Sequence, residues 1–153
     1  IGIIMQETPT TIWGSRILVI GYGRLGKMLS SRLRALGARV SVSARNPGDM
    51  AWITASGCTA LDTRALEGNL SSFDVVVNTV PALVLTEQRL MELREDALCL
   101  DLASKPGGMD FAAASRLGVR AIWALSLPGE VAPETAGTII RDTIYNILEE
   151  QKQ

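Results

Sequence analysis

The chain has 153 residues, 47% of them hydrophobic and 20% charged, a balance typical of one globular α/β domain. Its formal net charge of −1 excludes the broad basic surface that binds nucleic acid or an anionic membrane. No stretch reaches the roughly 18 consecutive apolar residues of a membrane span. Because the chain has no histidine and only two cysteines, we expect no metal site.

The first 15 residues differ in pattern from the rest of the chain. The chain begins at Ile1 without a methionine, and residues 1–15 precede the first predicted strand without forming a unit. We therefore expect residues 1–15 to connect to a missing N-terminal domain and residues 16–150 to form the main domain. Cys58 and Cys99 lie in apolar stretches typical of buried, reduced thiols, which favours a cytoplasmic protein.

From Arg16 onwards, short apolar runs alternate with amphipathic repeats. The predicted strands are 16–20, 40–44, 58–61, 74–79, 98–102 and 121–124. The predicted helices are 25–36, 46–56, 86–93, 110–117 and a last one with an apolar stripe over 136–148. This alternation predicts an α/β fold with a doubly wound parallel sheet in three α/β/α layers.

A glycine motif joins the first strand to the first of these helices. In such a Gly-x-Gly-x-x-Gly turn, Gly21 permits the turn, Gly23 lets a pyrophosphate approach the backbone, and Gly26 allows close packing of helix and strand. Together with its context, the motif predicts a Rossmann-type dinucleotide-binding domain; the alternative is a turn with incidental glycines. Arg24 is either a phosphate contact or a solvated side chain. The predicted cofactor contacts here are Gly21, Tyr22, Gly23, Arg24, Leu25 and Gly26.

The end of the second strand indicates which dinucleotide is bound. Sites for NAD carry an acidic residue about 20 positions after the glycine motif, where it binds the ribose hydroxyls. This chain instead has Ser43 and Arg45, a hydroxyl and a guanidinium suited to a 2′-phosphate. The pattern favours NADP(H) and argues against an S-adenosylmethionine site; alternatively, Arg45 is a solvated surface residue.

The ends of strands four, five and six are further candidate contacts, because ligands bind beyond the carboxyl ends of such strands. Thr79, Val80 and Pro81 are predicted to contact the nicotinamide ribose. Ser104 and Lys105 are predicted to reach the reacting centre, although Lys105 is alternatively a surface lysine. Asp101 is expected to anchor a neighbouring loop and to take no part in the chemistry.

The segment 127–137 follows strand six, and its two prolines and Gly129 are typical of a stiff loop. We expect a stiff loop that places Thr135, at the start of the last helix, against the nicotinamide or the substrate. The alternative is a rigid connection without chemical consequence.

Five motifs occur together in one order, and they resemble the C-terminal, nucleotide-binding domain of the dipicolinate synthase A-subunit family over about residues 11–148. The motifs are Gly-Tyr-Gly-Arg-Leu-Gly (21–26), Ser-Ala-Arg (43–45), Asn-Thr-Val-Pro (78–81), Asp-Leu-Ala-Ser-Lys-Pro-Gly-Gly (101–108) and Leu-Pro-Gly-Glu-Val-Ala-Pro-Glu-Thr-Ala-Gly (127–137). The last two are the most specific.

The resemblance implies an NADP-linked oxidoreductase that oxidises dihydrodipicolinate, a small dicarboxylate, to dipicolinate during sporulation. It also implies two partners, an N-terminal domain and the separate B subunit of dipicolinate synthase, so we expect the isolated domain to be inactive. Lys105 suits a dicarboxylate substrate. Because the chain lacks histidine, the general base is left open, as is the oligomeric state, a homo-oligomer included.

Two other classes of protein share parts of this pattern. Dehydrogenases of the hydroxyacid or shikimate type have the same sheet and glycine motif, but usually a catalytic histidine that this chain lacks. Non-catalytic nucleotide-sensing modules commonly keep the acid at the second strand, where this chain has Ala44 and Arg45. An NADP(H)-binding oxidoreductase domain remains the favoured interpretation.

Overall fold

A computed structural model describes residues 1–151 of the chain. The strands are β1 (Arg16–Ile20), β2 (Arg39–Ala44), β3 (Thr59–Asp62), β4 (Val75–Asn78), β5 (Leu98–Asp101) and β6 (Arg120–Trp123). The helices are α1 (Gly2–Glu7), α2 (Arg24–Ala35), α3 (Pro47–Ala55), α4 (Glu87–Leu90), α5 (Phe111–Leu117), α6 (Leu127–Val131) and α7 (Pro133–Glu150). Two 3₁₀ turns, Thr63–Ala65 and Leu70–Ser72, connect β3 to β4.

The six strands form one sheet in the order β3-β2-β1-β4-β5-β6, with every neighbouring pair parallel. The strand order reverses between β1 and β4, which places a crevice beyond their carboxyl ends. The prediction of a Rossmann-type doubly wound sheet is confirmed.

Two apolar cores cover the two faces of the sheet, because successive side chains of a strand point to opposite faces. Ile17 and Val19 of β1 pack with α2 and α3 in one core, whereas Leu18 and Ile20 face the other. Four of the five residues of β1, and all of β4 and β5, are buried. Strands buried on both faces explain the continuous apolar runs in the sequence.

The chain before β1 contributes to the first core. Residues 2–7 form α1, and Ile4 and Ile12 are buried against the sheet residues of that core. Residues 1–15, expected to be a connecting segment, are thus partly structured, because their apolar side chains cover an end of the sheet core. The domain boundaries themselves stay a prediction.

The segment after β6 differs from the expectation in two ways. The chain divides into two compact units: the first ends at Trp123, and the second begins at Ala124 and contains α6 and α7. Part of the predicted stiff loop is helical, since α6 spans Leu127–Val131. The apolar stripe of α7 is exposed, with Ile139 at 61% and Ile144 at 51%.

Among residues 1–151, no helix has both the length and the hydrophobicity that crossing a membrane requires.

Candidate functional site: the crevice beyond strands β1, β2 and β4

A cavity of about 650 Å³ lies beyond the carboxyl ends of β1, β2 and β4. Three of its walls come from the glycine motif, the end of β2 and the segment after β4. Its lining includes Gly21, Tyr22, Gly23, Ala44, Arg45, Asn46, Asp49, Thr63 and residues 79–84. The volume is in the range of about 300–1,000 Å³ that small-molecule and cofactor sites occupy.

A different structural feature explains the glycine at each of the three positions of the motif. Gly21 has a φ of +98°, and a Cβ there would lie 2.6 Å from Thr79 Oγ1. At Gly26 a Cβ would lie 2.1 Å from the carbonyl oxygen of Gly21, so helix and turn pack too closely for a side chain. At Gly23 a Cβ would meet no protein atom within 4 Å. Protein packing therefore explains two glycines, and the open space at Gly23 fits a ligand.

The N-terminus of α2 points into this space. Gly23 is the N-cap, and within the described part of the chain no side chain caps this helix, nor does its first turn contain an acidic residue. First-turn N–H groups of a helix have no intrahelical partner, and the helix dipole favours a negative charge beside them. This terminus is thus suited to a phosphate group.

The residues after β2 form the side of the crevice predicted to hold the adenosine. Arg45 is exposed and lines the cavity. Ser43 does not line it: this side chain is fully buried, and its hydroxyl accepts a hydrogen bond from Thr63 Oγ1 at 3.1 Å. Thr63 lines the cavity where Ser43 was expected, and Asp49 adds a carboxyl group to the lining.

The segment after β4 forms the opposite wall. Thr79 Oγ1 donates a hydrogen bond to the carbonyl oxygen of Ile20 at 2.8 Å, which fixes this segment to the end of β1. Thr79, Val80 and Pro81 all line the cavity, as the motif suggested. They give this wall one hydroxyl and an apolar surface.

Arg89, which the sequence analysis missed, links the segment after β4 to the turn after β3, both of which line the crevice. Its side chain is 11% exposed and donates to the carbonyl oxygens of Thr63 and Val84 at 3.2 and 3.0 Å. Its third contact is with Glu67 Oε1 at 2.8 Å, and this hydrogen bond lowers the pKa of Glu67. No sequence signal identifies Arg89, because its three partners are brought together only by the fold.

Asp101, at the end of β5, is fully buried and anchors the loop that supports the Thr79 wall. Its Oδ1 accepts from Asn78 Nδ2 at 2.8 Å and from the Ala103 N–H at 3.0 Å. Its Oδ2 accepts from the Gly108 N–H at 2.7 Å. A Cβ at Gly108 would lie 2.4 Å from the Val80 carbonyl oxygen, so this loop packs directly behind the wall. The expectation that Asp101 anchors a loop agrees with this geometry.

Several predicted site residues lie outside the cavity lining. Ser104 and Lys105 are exposed on the loop after β5. Arg24 and Leu25 are exposed in the first turn of α2, while Gly26 is buried behind it. Thr135 is exposed in α7, within the second compact unit. The roles assigned to these residues remain predictions.

The residues of the crevice fit a dinucleotide. An uncapped helix N-terminus, open space at Gly23 and a cation at Arg45 lie along one cavity that ends at the apolar wall of Val80. A phosphate suits the helix N-terminus and the open space at Gly23, and a flat apolar ring suits the wall at Val80.

Comparisons with known proteins point to the same kind of site. Residues 5–99 match the family model described as D-isomer specific 2-hydroxyacid dehydrogenase, NAD binding domain. The A subunit of dipicolinate synthase from Bacillus subtilis (strain 168) is 40% identical over 146 residues, which are 95% of this chain and 49% of that protein. The chain therefore spans about half the length of this curated relative.

Solved structures extend the similarity to the backbone. The crystal structure of the dipicolinate synthase A chain from Bacillus subtilis gives a TM-score of 0.94 at 39% identity, over 97% of this chain and 50% of the other. The A-subunit structure from Bacillus halodurans gives 0.94 at 40% identity, over 97% and 51%. A transhydrogenase from Sinorhizobium meliloti, at 22% identity and a TM-score of 0.72, shares the fold alone.

Proposed function

The chain belongs to the family of NAD binding domains of D-isomer specific 2-hydroxyacid dehydrogenases, and on this premise we propose that it binds NADP(H) for the oxidation of dihydrodipicolinate to dipicolinate. The similarity to the dipicolinate synthase A subunit supports the substrate. It also supports a role in sporulation, a cytoplasmic location and a partnership with the B subunit of that enzyme. Because the chain spans about half of that relative, a further N-terminal domain belongs to the proposal.

Arg45 is the observation that carries the choice of NADP(H). It lines the crevice at the end of β2, and no ion pair among residues 1–151 involves its guanidinium. A guanidinium with free donors suits bidentate binding of a phosphate ester. The same position in an NAD site holds a carboxylate, which repels the 2′-phosphate.

The chain's own residues would bind and orient the cofactor. The N–H groups at the start of α2 would hold the pyrophosphate, with Arg24 beside them, and Arg45 would hold the 2′-phosphate. Val80 and Pro81 would exclude water from one side of the nicotinamide. When bound, NADP⁺ supplies the two-electron acceptor that this oxidation requires.

Lys105 and Ser104 are proposed to act on the substrate. Dihydrodipicolinate has two carboxylates, and the exposed Lys105, on the loop after the carboxyl end of β5, suits an ion pair with one of them. The reaction also releases a proton, and the chain has no histidine to accept it. We place the proton acceptor on the N-terminal domain, on the B subunit or on water.

Titration of the chain with NADPH and NADH tests the cofactor assignment. We expect NADPH to bind at least about tenfold more tightly, since a charge-assisted contact contributes about 1.5–3 kcal/mol. Arg45→Gln should abolish the preference and Arg45→Asp should reverse it. Arg116→Gln, an equal loss of charge on α5, should leave both affinities unchanged. A wild-type preference for NADH would overturn the assignment.

A chimera tests the reaction. The N-terminal half of the Bacillus subtilis A subunit would be joined to this chain and mixed with the B subunit for an assay of dihydrodipicolinate conversion to dipicolinate. We expect NADP⁺-dependent product, strongly reduced by Arg45→Asp. A chimera that binds NADPH normally but forms no dipicolinate would refute the substrate and leave the cofactor assignment intact.

A further inference from the structure

A second cavity, of about 640 Å³, lies at the opposite end of the sheet from the crevice. Arg16, Arg39 and Thr59, the first residues of β1, β2 and β3, line it. The two linings share no residue, and along β2 three residues separate Ser41 in one from Ala44 in the other, about 10 Å at a strand rise of about 3.3 Å per residue. The second cavity takes no part in the proposed dinucleotide site.

The charges of this cavity have one sign. Its lining contains three arginines, Arg16, Arg34 and Arg39, and none of its twelve lining residues is acidic. Arg16 and Arg39 are register partners in neighbouring parallel strands, so the two cationic side chains start on the same face. Like charges placed opposite each other are destabilising unless something neutralises them.

The nearest carboxylate neutralises only part of this charge. Asp74 lies 3.6 Å from Arg16 Nη2, but it also forms an ion pair with Arg94, outside the cavity. Among residues 1–151, no ion pair involves Arg34 or Arg39. Two guanidinium groups are therefore available to an external anion.

Gly57 holds Arg34 at the edge of this cavity. It has a φ of +79°, and a Cβ there would lie 2.7 Å from Arg34 Nε and 2.8 Å from Nη2. The guanidinium thus lies directly across the backbone of the turn between α3 and β3. The positive φ favours a glycine here, and the absence of a side chain leaves room for the Arg34 guanidinium against the turn.

The remaining lining combines small polar groups with an apolar wall. Ser41, Thr59 and Ser72 contribute hydroxyl groups, and Leu61 and Phe73 contribute apolar surface. Hydroxyls supplement guanidinium donors in binding carboxylates and phosphates, and an apolar wall suits a carbon skeleton. The volume is that of a small-molecule site.

We propose that this cavity, which we call the arginine cavity, binds a small organic anion with at least two negatively charged groups. Arg34 and Arg39 provide the charge-assisted hydrogen bonds, and the Phe73 side provides the apolar contact. Di- or tricarboxylates and phosphate compounds share the chemistry that the cavity recognises. The site is separate from the dinucleotide crevice, so both ligands bind at once.

Calorimetric titration of the chain tests this proposal with citrate, pyridine-2,6-dicarboxylate and inorganic pyrophosphate, and with acetate as a singly charged control. We expect dissociation constants of about 1 mM or below for one or more of the polyvalent anions at low salt. Affinity should fall as salt is added, because the arginines are exposed. Whether carboxylates or pyrophosphate bind better identifies the anion class.

Variants of the lining arginines test whether the anion binds in the arginine cavity. Arg34→Gln and Arg39→Gln should each weaken the anion about tenfold and leave NADPH binding unchanged. Arg32→Gln removes an exposed charge from the same helix, outside the cavity, and should change neither affinity. The proposal is overturned if no polyvalent anion binds, if Arg34→Gln and Arg39→Gln bind it as wild type does, or if NADPH displaces it.

Discussion

The two sides of the crevice are built by different means. The glycine-loop side, residues 21–26 with Arg45, presents backbone N–H groups and one cation, and its form depends on the absence of side chains at Gly21 and Gly26. The strand-end side, residues 78–84 with the 101–108 loop behind it, depends on one buried carboxylate, Asp101.

The glycine-loop turn can form from one continuous segment of the chain, whereas the strand-end side forms only when the whole sheet is assembled. A strand, a tight turn and a helix suffice to form a phosphate site, and they are consecutive in the chain. The strand-end side needs segments that lie more than 20 residues apart to meet, as the bond between Asn78 and Asp101 does. We therefore expect substitutions on the two sides to have separable effects on ligand binding and on stability.

The largest effect is expected for Asp101→Ala, on the strand-end side. It leaves three buried N–H donors without an acceptor and should lower the free energy of unfolding by about 3–5 kcal/mol. Urea unfolding measures this change. Asp110→Ala, which removes only the cap of α5, should cost about 1 kcal/mol. Equal costs for the two variants would contradict the role of Asp101 as an anchor.

The glycine-loop side should respond differently at two neighbouring glycines. Gly26→Ala forces a Cβ against the Gly21 carbonyl and should cost about 1–3 kcal/mol of stability. Gly23→Ala meets no protein atom, so its stability cost should stay below about 1 kcal/mol, while NADPH affinity falls about tenfold or more. Thermal unfolding and NADPH titration of both variants distinguish these outcomes. Normal NADPH binding by Gly23→Ala would show that the space there is not a phosphate site.

The smallest effect on the isolated chain is expected for Lys105→Ala. Lys105 is exposed and outside the cavity lining, so stability should change by no more than about 0.5 kcal/mol. NADPH affinity should stay the same, whereas dipicolinate formation by the chimera should fall and Lys105→Arg should restore part of it. Full activity of Lys105→Ala would remove Lys105 from the proposed substrate site.

Most elements of the sheet could be predicted because their signals are local. β1 was predicted with the observed bounds, and the helix predicted over 46–56 is α3, which begins after Asn46, whose Oδ1 accepts from the Gly48 N–H at 2.8 Å. Shorter elements were predicted less accurately: where the sequence predicts a helix over 86–93, the structure has the four-residue α4. A brief amphipathic pattern does not specify how many turns the packing will retain.

The site was predicted only where its residues adjoin a motif. Gly21, Tyr22, Gly23 and Arg45 line the crevice as the motif and strand ends suggested. Ser43 differs, because it lies inside β2, where both faces are covered, and its side chain is buried against Thr63, whereas Arg45 follows the end of the strand and is exposed. Thr63 and Arg89 have no motif and enter the site through contacts made across the fold.

By itself, the sequence determined the alternation of strands and helices, the glycine turn after β1 and the missing acid after β2, because each depends on residues within one short segment. The tertiary structure decided which polar groups share a cavity. Only the parallel register places Arg39 beside Arg16, and only the meeting of β4 with β5 brings the Asn78 donor to Asp101. Such placements follow from strand order and packing, which join residues that no local pattern connects.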